Sequence, residues 1–272
     1  MYTVVYYQNL EKAAAIYLCQ EGGSEDKMTQ LIDQIKSEGK KALKAFLPPV
    51  FRGKISEMPA VGEINFGDFA RLTPISTDWG LKRGGSIDRY YIENFLEKYA
   101  GDIKGRALEI LNDNYLKRFG GALVKHRDIL DVDASNPQAT VIADLAKAYH
   151  LPADTYDCFV LTQTLQLIYD LRSAIKHIYR ILKPGGVLLV TVPGISHFPR
   201  KTAPRHWSFT EYSLKTLLEE QFPKEKIKIE THGNVLVAAS FLYGIGAGEL
   251  KKEMYDHNDP NYQLIITAKA VK

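Results

Sequence analysis

The stretch IYRILKPGGVL, residues 178–188, joins the end of one predicted helix to the start of a strand. Apolar residues recur at three- and four-residue spacing from Leu171 to Leu182, which predicts an amphipathic helix. Lys183-Pro-Gly-Gly186 ends this helix, because proline and glycine both disfavour its continuation. Val187–Val192 then forms a predicted strand rich in Val and Leu. A helix that leads into such a strand is typical of a parallel sheet.

Strands and helices alternate on both sides of this unit. The predicted strands before it are Ala107–Leu111, Asp128–Val132, Thr140–Ile142 and Asp157–Thr162. After it come a helix near Glu211–Phe222 and a strand–helix–strand ending at Lys226–Thr231, Val235–Tyr243 and Tyr262–Lys269. This order predicts an α/β fold with a doubly wound, mostly parallel seven-stranded sheet. We expect this domain to span residues 76–272, preceded by an N-terminal accessory segment, residues 1–75, with helical periodicity from Glu25 to Phe46.

Composition narrows the class of protein. The 272 residues carry a net charge of +3 without a dense basic block, which gives no support for a nucleic-acid partner. Cys19 and Cys158 lie far apart, so a reduced, buried thiol is expected at Cys158 rather than a disulfide or a metal ligand. No signal peptide or membrane span is expected, and a cytoplasmic protein is the default interpretation. No cluster has the spacing of a metal site, so no metal is predicted.

Acidic residues follow three successive strands. In doubly wound sheets ligands bind at the carboxyl ends of the strands, where Glu109, Asp133 and Asp144 are predicted to lie. A carboxylate at the second strand suits ribose hydroxyls, and one at the third can accept from an adenine amine. Each acid alone could equally cap a helix or close a turn. Together they favour a pocket for a nucleoside-type ligand.

Several segments resemble class I S-adenosylmethionine-dependent methyltransferases. They are LEI at residues 108–110, VDAS at 132–135, ADL at 143–145, LPADTYD at 151–157 and, above all, IYRILKPGGVL at 178–188. The resemblance covers roughly residues 61–272. The block RGGSIDRYYI, residues 83–92, resembles a narrower subgroup found in bacterial glycan and secondary-metabolite loci, sometimes joined to glycosyltransferases.

The resemblance implies S-adenosylmethionine as the cofactor. By position, Glu109 would hold its methionine part, Asp133 its ribose, and Asp144 with Leu145 its adenine. Further cofactor contacts are expected from residues before the first strand and after the first and fourth strands, namely Arg83, Tyr91, Asn112 and Gln163. For Arg83, a surface pair with an acid is an equal alternative. The family's glycines would fall at Leu111, Asp113 and Tyr115, so the side chains of Asn112–Asn114 are expected to shape the methionine end.

The long loop after the fifth strand, residues 194–210, supplies the candidate bases His197 and His206, with a structural role open for each. Trp207 and Phe209 would line an acceptor pocket or pack beneath the loop, and Thr210 is expected to cap the next helix. The predicted reaction is methyl transfer to an oxygen, less favourably a nitrogen, of a small molecule or glycan. A homodimer is compatible with this function.

Two alternatives stay open at this point. One is a cofactor-binding pseudo-enzyme of the same fold, which the missing glycines would explain. The other is a nicotinamide-dependent oxidoreductase, which is disfavoured because residues 108–121 lack a G-x-G-x-x-G turn.

Overall fold

A computed structural model of the chain describes residues 62, 64–198 and 204–272. Residues 71–272 form one compact unit. The helical segment predicted within residues 25–46 and Cys19 lie outside the described residues. The domain boundary expected at residue 75 stays a prediction.

A seven-stranded sheet with the order β3-β2-β1-β4-β5-β7-β6 forms the centre of this unit. β1 to β5 run parallel, and β7 pairs antiparallel with both β5 and β6. The strands are β1 Gly105–Ile110, β2 Val124–Asp131, β3 Val141–Ile142, β4 Tyr156–Thr162, β5 Leu182–Pro193, β6 Ile227–His232 and β7 Ile265–Val271. The predicted fold class is confirmed. Because the strand order reverses between β1 and β4, the crevice for a ligand opens at their carboxyl ends.

Helices cover both faces of the sheet. They are α1 Ile87–Lys98, α2 Leu171–Ile181, α3 Glu211–Glu219, α4 Val235–Tyr243 and α5 Lys252–Asp256. Successive residues of β1 point to opposite faces. Leu108 packs in a core with Ile178 of α2 and Leu218 of α3, while Ala107 packs in a second core with Phe95 of α1 and Phe241 of α4.

The start of α3 lies where the sequence predicts it, whereas the start of β5 does not. Thr210 caps α3 as expected, its Oγ1 accepting from the backbone N–H of Ser213 at 3.2 Å. β5 begins at Leu182, earlier than predicted, because Gly185 at φ +77° lets the KPGG turn join the strand. Between β1 and β2 the chain forms a π-helical turn, Leu116–Gly120, followed by Gly121 at φ +50°.

Within the part of the chain that the structure describes, no helix combines the length and the apolar character needed to cross a bilayer.

Candidate functional site

A cavity of about 1090 Å³ lies at the carboxyl ends of β1 to β4. Its wall includes the residue that follows β1, Leu111, the residue that follows β2, Val132, and the residue that follows β4, Gln163. Of the predicted cofactor residues, five line this cavity: Glu109, Asn112, Asp144, Leu145 and Gln163. The structure therefore brings together tips of four strands that are distant in sequence.

Glu109 is buried in β1, and both of its carboxylate oxygens accept backbone hydrogen bonds. Oε1 accepts from Tyr115 at 3.2 Å and Oε2 from Leu116 at 2.9 Å. These bonds hold the turn after β1 against the strand. Burial is the main cause that raises the pKa of Glu109 to about 7, although the two backbone donors oppose the shift. Glu109 is thus both a wall of the cavity and the anchor of its first turn.

The turn after β1 adopts a glycine-like backbone without glycine. Leu111 has φ +67°, a conformation that costs an L-residue roughly 1–2 kcal/mol. Its N–H donates to Leu130 O at 3.0 Å, and Asn112 Oδ1 accepts from Asn114 N at 3.0 Å. Hydrogen bonds, rather than glycine's conformational freedom, hold the left-handed backbone at this position.

The acid in the cavity wall after β2 is Asp131, not Asp133. Asp131 ends the strand at 6% exposure, and its Oδ2 accepts from Asn136 Nδ2 at 2.8 Å. The same amide donates to Leu111 O at 3.0 Å, so Asn136 ties the β1 turn to the tip of β2. The predicted ribose ligand, Asp133, is exposed and accepts from Ser135 N, which lowers its pKa. It closes a turn and does not line the cavity.

Asp144 and Leu145 follow β3 as expected. The Asp144 carboxylate accepts from Ala146 N at 2.9 Å, so it caps the short turn that begins at Leu145. The cap leaves Asp144 in the cavity wall, with Leu145 buried beside it.

Two predicted contacts before β1 lie elsewhere. Arg83 forms a bidentate ion pair with Glu249, with N–O distances of 2.9 and 2.7 Å. It does not line the cavity. Tyr91 is buried, stacks on His232 with ring centroids 5.5 Å apart, and donates to Tyr255 O. The arginine that does line the cavity is Arg89, whose Nη1 donates to Tyr115 Oη at 2.8 Å. Arg89 lies in the first turn of α1, six residues after Arg83, and the sequence offers no signal that selects one arginine over the other.

A second cavity of about 360 Å³ adjoins the first. Arg89, Gln163 and Leu167 line both cavities, which places a shared boundary between them. His197 lies in the second cavity and stacks on Trp79 with centroids 4.7 Å apart. Burial first, and the charge of Arg205 second, lower the pKa of His197 below its ordinary 6.5.

The other predicted loop residues lie outside both cavities. His206 is exposed, and its ring meets Tyr169 edge-on at 5.5 Å. Trp207 Nε1 donates to Ile168 O at 2.9 Å, while Phe209 is buried in the core. Phe209 thus packs beneath the loop, whereas Trp207 is 38% exposed. Cys158 is buried in β4, where desolvation raises the pKa of its thiol. Among the described residues, no group of three His, Cys, Asp or Glu side chains is placed to hold a metal.

Comparisons with known proteins give the class of this domain. Residues 85–190 match a family model described as a methyltransferase domain. A 47-residue segment is 53% identical to the ubiquinone/menaquinone biosynthesis C-methyltransferase UbiE of Haemophilus ducreyi, covering 16% of this chain and 18% of that protein. An 80-residue segment is 35% identical to UbiE of Pectobacterium carotovorum, covering 29% of each. The chain thus spans less than a third of the curated relatives it matches.

Solved structures are similar over more of the chain. A SAM-dependent methyltransferase from Archaeoglobus fulgidus is 14% identical, with a TM-score of 0.47, over 68% of this chain and 94% of that one. One from Mesorhizobium loti is 15% identical, with a TM-score of 0.46, over 69% of this chain and 99% of that one.

Residues 85–190 match the model of a methyltransferase domain, and the sequence resemblance implies S-adenosylmethionine as the cofactor of such a domain. The residues present fit that cofactor. Asp131 offers a buried, oriented carboxylate to hydroxyl donors, and Arg89 offers a guanidinium to a carboxylate. The oxidoreductase alternative is not supported.

The strained turn gives a first prediction. Leu111→Gly should change the free energy of unfolding by less than about 1 kcal/mol, since relief of left-handed strain offsets glycine's extra chain entropy. The side chain is 56% exposed, so little burial is lost. Leu111→Val should destabilise by about 1 kcal/mol more, because β-branched residues tolerate positive φ poorly. Urea unfolding measures both, and a glycine variant less stable than the valine variant would refute the strain.

Proposed function

We propose that the protein transfers a methyl group from S-adenosylmethionine to an oxygen, less favourably a nitrogen, of a small molecule or glycan. The observation that carries the proposal is the pair of adjoining cavities with Arg89, Gln163 and Leu167 in both walls. A transferase needs its two substrates held in line at a common boundary. The larger cavity suits the cofactor and the smaller one the acceptor.

The residues assigned to the cofactor follow from the wall of the larger cavity. Asp131, rather than Asp133, would accept the ribose hydroxyls, and Asp144 with Leu145 would meet the adenine. Glu109, Asn112 and Arg89 would surround the methionine end, with Arg89 facing its carboxylate. Gln163, at φ +48° after β4, is held by its N–H on Thr191 O at 2.9 Å and stands where the cavities meet.

Held at its methionine end by Glu109, Asn112 and Arg89, the cofactor would supply an electrophilic methyl group, and its sulfur would retain the electron pair of the broken bond. The chain's own task is to align the acceptor, exclude water and take a proton from a hydroxyl. His197 suits the last role, since its lowered pKa keeps the imidazole neutral near pH 7. His206, outside both cavities, is the weaker candidate.

A pH profile tests His197 as the base. We expect the rate of transfer to rise with pH below 6.5 and to reach a plateau at neutral pH, because only neutral imidazole accepts a proton. His197→Gln should remove this rising limb together with most of the rate, whereas His206→Gln should keep it. If the transfer rate of His197→Gln still rises with pH as in the wild type, His197 is not the base.

Methyl transfer itself is tested with cofactor labelled in its methyl group and a panel of alcohols, carboxylates and amines. Mass spectrometry of the product locates the methylated atom, and it also separates transfer to carbon, the reaction named for the partial relatives from Haemophilus ducreyi and Pectobacterium carotovorum. Label on an oxygen supports the proposal, and label on carbon alone contradicts it.

The pseudo-enzyme alternative rests on Leu111, Asp113 and Tyr115 standing where glycines are usual. It predicts cofactor binding without transfer to any member of the panel.

A further inference from the structure

The second cavity contains three residues with an unpaired buried atom. Within the described residues, Asp88 Oδ1, Gln166 Oε1 and Arg205 Nη2 have no hydrogen-bond partner, and all three residues line the cavity. Asp88 is 8% exposed and Gln166 7%. An unpaired buried polar atom costs roughly 1–3 kcal/mol, and more when it is charged. Three in one wall indicate a ligand that satisfies them.

The remaining bonds of these residues fix their positions. Gln166 Nε2 donates to Gln163 O at 2.7 Å, which leaves its carbonyl as the open group. Arg205 Nε donates to Trp207 O at 3.2 Å and Nη1 to His197 O at 3.1 Å, so Nη2 is the open donor. Asp88 Oδ1 lies 4.0 Å from Arg89 Nε, beyond hydrogen-bond distance. The wall therefore presents two acceptors and one cationic donor.

Charge and shape limit what can bind. The ionisable side chains that line the cavity are Asp88, Arg89, Arg205 and His197. Arg89 is shared with the cofactor cavity, so Arg205, whose Nη2 is unpaired, is the guanidinium left to bind an anionic group of the ligand. Trp79 and Phe241 add an aromatic wall for a carbon skeleton. A volume of 360 Å³ stands at the low end of small-molecule sites, which favours a compact ligand.

We propose that this cavity binds a small hydroxylated carboxylate as the methyl acceptor, with its carboxylate accepting from Arg205 and its hydroxyl donating to Asp88 or Gln166 in the bound acid, before the hydroxyl turns to His197 as the base for methyl transfer. The acceptor role rests on the proposed function, whereas the binding chemistry stands on the cavity alone. The charged anchor at Arg205 and the hydroxyl acceptors on α1 and after β4 orient the ligand. Arg89 and Gln163, shared by both cavities, mark the boundary at which the hydroxyl would meet the cofactor cavity.

Matched probes test this inference. The hydroxy acids 3-hydroxybenzoate, 3-hydroxybutyrate and gluconate are each compared with the acid that lacks the hydroxyl and with the neutral hydroxy amide. Ligand-observed NMR titration gives the Kd with and without S-adenosylhomocysteine. We expect at least one hydroxy acid to bind about tenfold more tightly than both of its analogues, which corresponds to one charge-assisted hydrogen bond.

Variants assign the contacts. Arg205→Gln should weaken that hydroxy acid at least about tenfold, Arg205→Lys less, and Asp88→Asn should reduce the preference for the hydroxyl over the deoxy acid. Arg172→Gln is the matched control, since Arg172 is an exposed arginine paired with Glu220 outside both cavities. Thermal unfolding of each variant confirms that it is folded.

The inference fails if no hydroxy acid binds, if the amides bind as well as the acids, or if Arg205→Gln behaves like Arg172→Gln. Failure of the proposed function is a separate result. If the proposed function fails, S-adenosylhomocysteine does not bind, while the Arg205-dependent binding of the hydroxy acid persists.

Discussion

Replacing Asp131 by alanine is expected to weaken S-adenosylmethionine binding about 100-fold, while Asp133→Ala changes it less than about threefold. Asp131 is buried at the tip of β2 and held by Asn136, so its carboxylate meets ligand hydroxyls already oriented. Hydrogen bonds to a charged group are worth roughly 1.5–3 kcal/mol, which corresponds to about 10- to 150-fold in Kd. Asp133 is exposed and does not line the cavity, so its removal affects only the turn that it closes with Ser135 N.

Calorimetry of the two alanine variants measures this difference. Asp131→Asn serves as the second variant, since it keeps the shape and one acceptor oxygen and should lose less affinity than alanine. Thermal unfolding without cofactor shows whether each variant is folded. If Asp133→Ala loses more affinity than Asp131→Ala, the ribose contact lies on Asp133, as the sequence predicted.

Glu109→Gln is expected to change how stability depends on pH. The folded-state pKa of Glu109 is raised from 4.5 to about 7, mainly by burial. Below about pH 4.5 Glu109 is protonated in both the folded and the unfolded state, so it does not lower the free energy of unfolding. Between 4.5 and 7 the unfolded state releases it and the folded state keeps it, so stability falls as pH rises. Above pH 7 the carboxyl is ionised in both states, and the free energy of unfolding is then lower by on the order of 3 kcal/mol, at 1.36 kcal/mol per pKa unit.

Urea unfolding of both proteins at pH 5 and pH 8 measures the effect. From pH 5 to pH 8 the free energy of unfolding of the wild type should fall by about 2–3 kcal/mol more than that of Glu109→Gln, because glutamine does not titrate. The other titratable groups are the same in both proteins, so their effects cancel in the comparison. A matched control is Glu225→Gln, an exposed glutamate after α3. If the wild type and Glu109→Gln show the same pH dependence, Glu109 does not carry a raised pKa.

The sheet was predictable because its signals are local. Alternating apolar strands, the KPGG turn and the Thr210 cap each follow from neighbouring residues, and the structure confirms the doubly wound, mostly parallel seven-stranded sheet that they predict. Local signals did not determine which acid, Asp131 or Asp133, stands at the carboxyl end of β2. Asp131 and Asp133 are two residues apart, so alternation places both on one face of the strand. The choice depends on where β2 stops pairing with β3, at Asp131 and Ile142.

The rest of the candidate site depends on contacts that are distant in sequence. Arg83 and Arg89 look alike in the sequence, but Glu249 takes the first and leaves the second to the cavity wall. Asp88 and Arg205 are brought to one cavity only by the packing of the loop after β5 near α1. The hydrogen bonds that bend Leu111 to φ +67° likewise come from β2 and Asn136. No local pattern contains these pairings.

The most direct test of the central claim is a calorimetric titration of the wild-type protein with S-adenosylmethionine, beside Asp131→Ala. The account predicts one binding site per chain in the wild type and about 100-fold weaker binding in the variant. Absence of binding by the wild type at millimolar cofactor, or equal binding by both proteins, would contradict it.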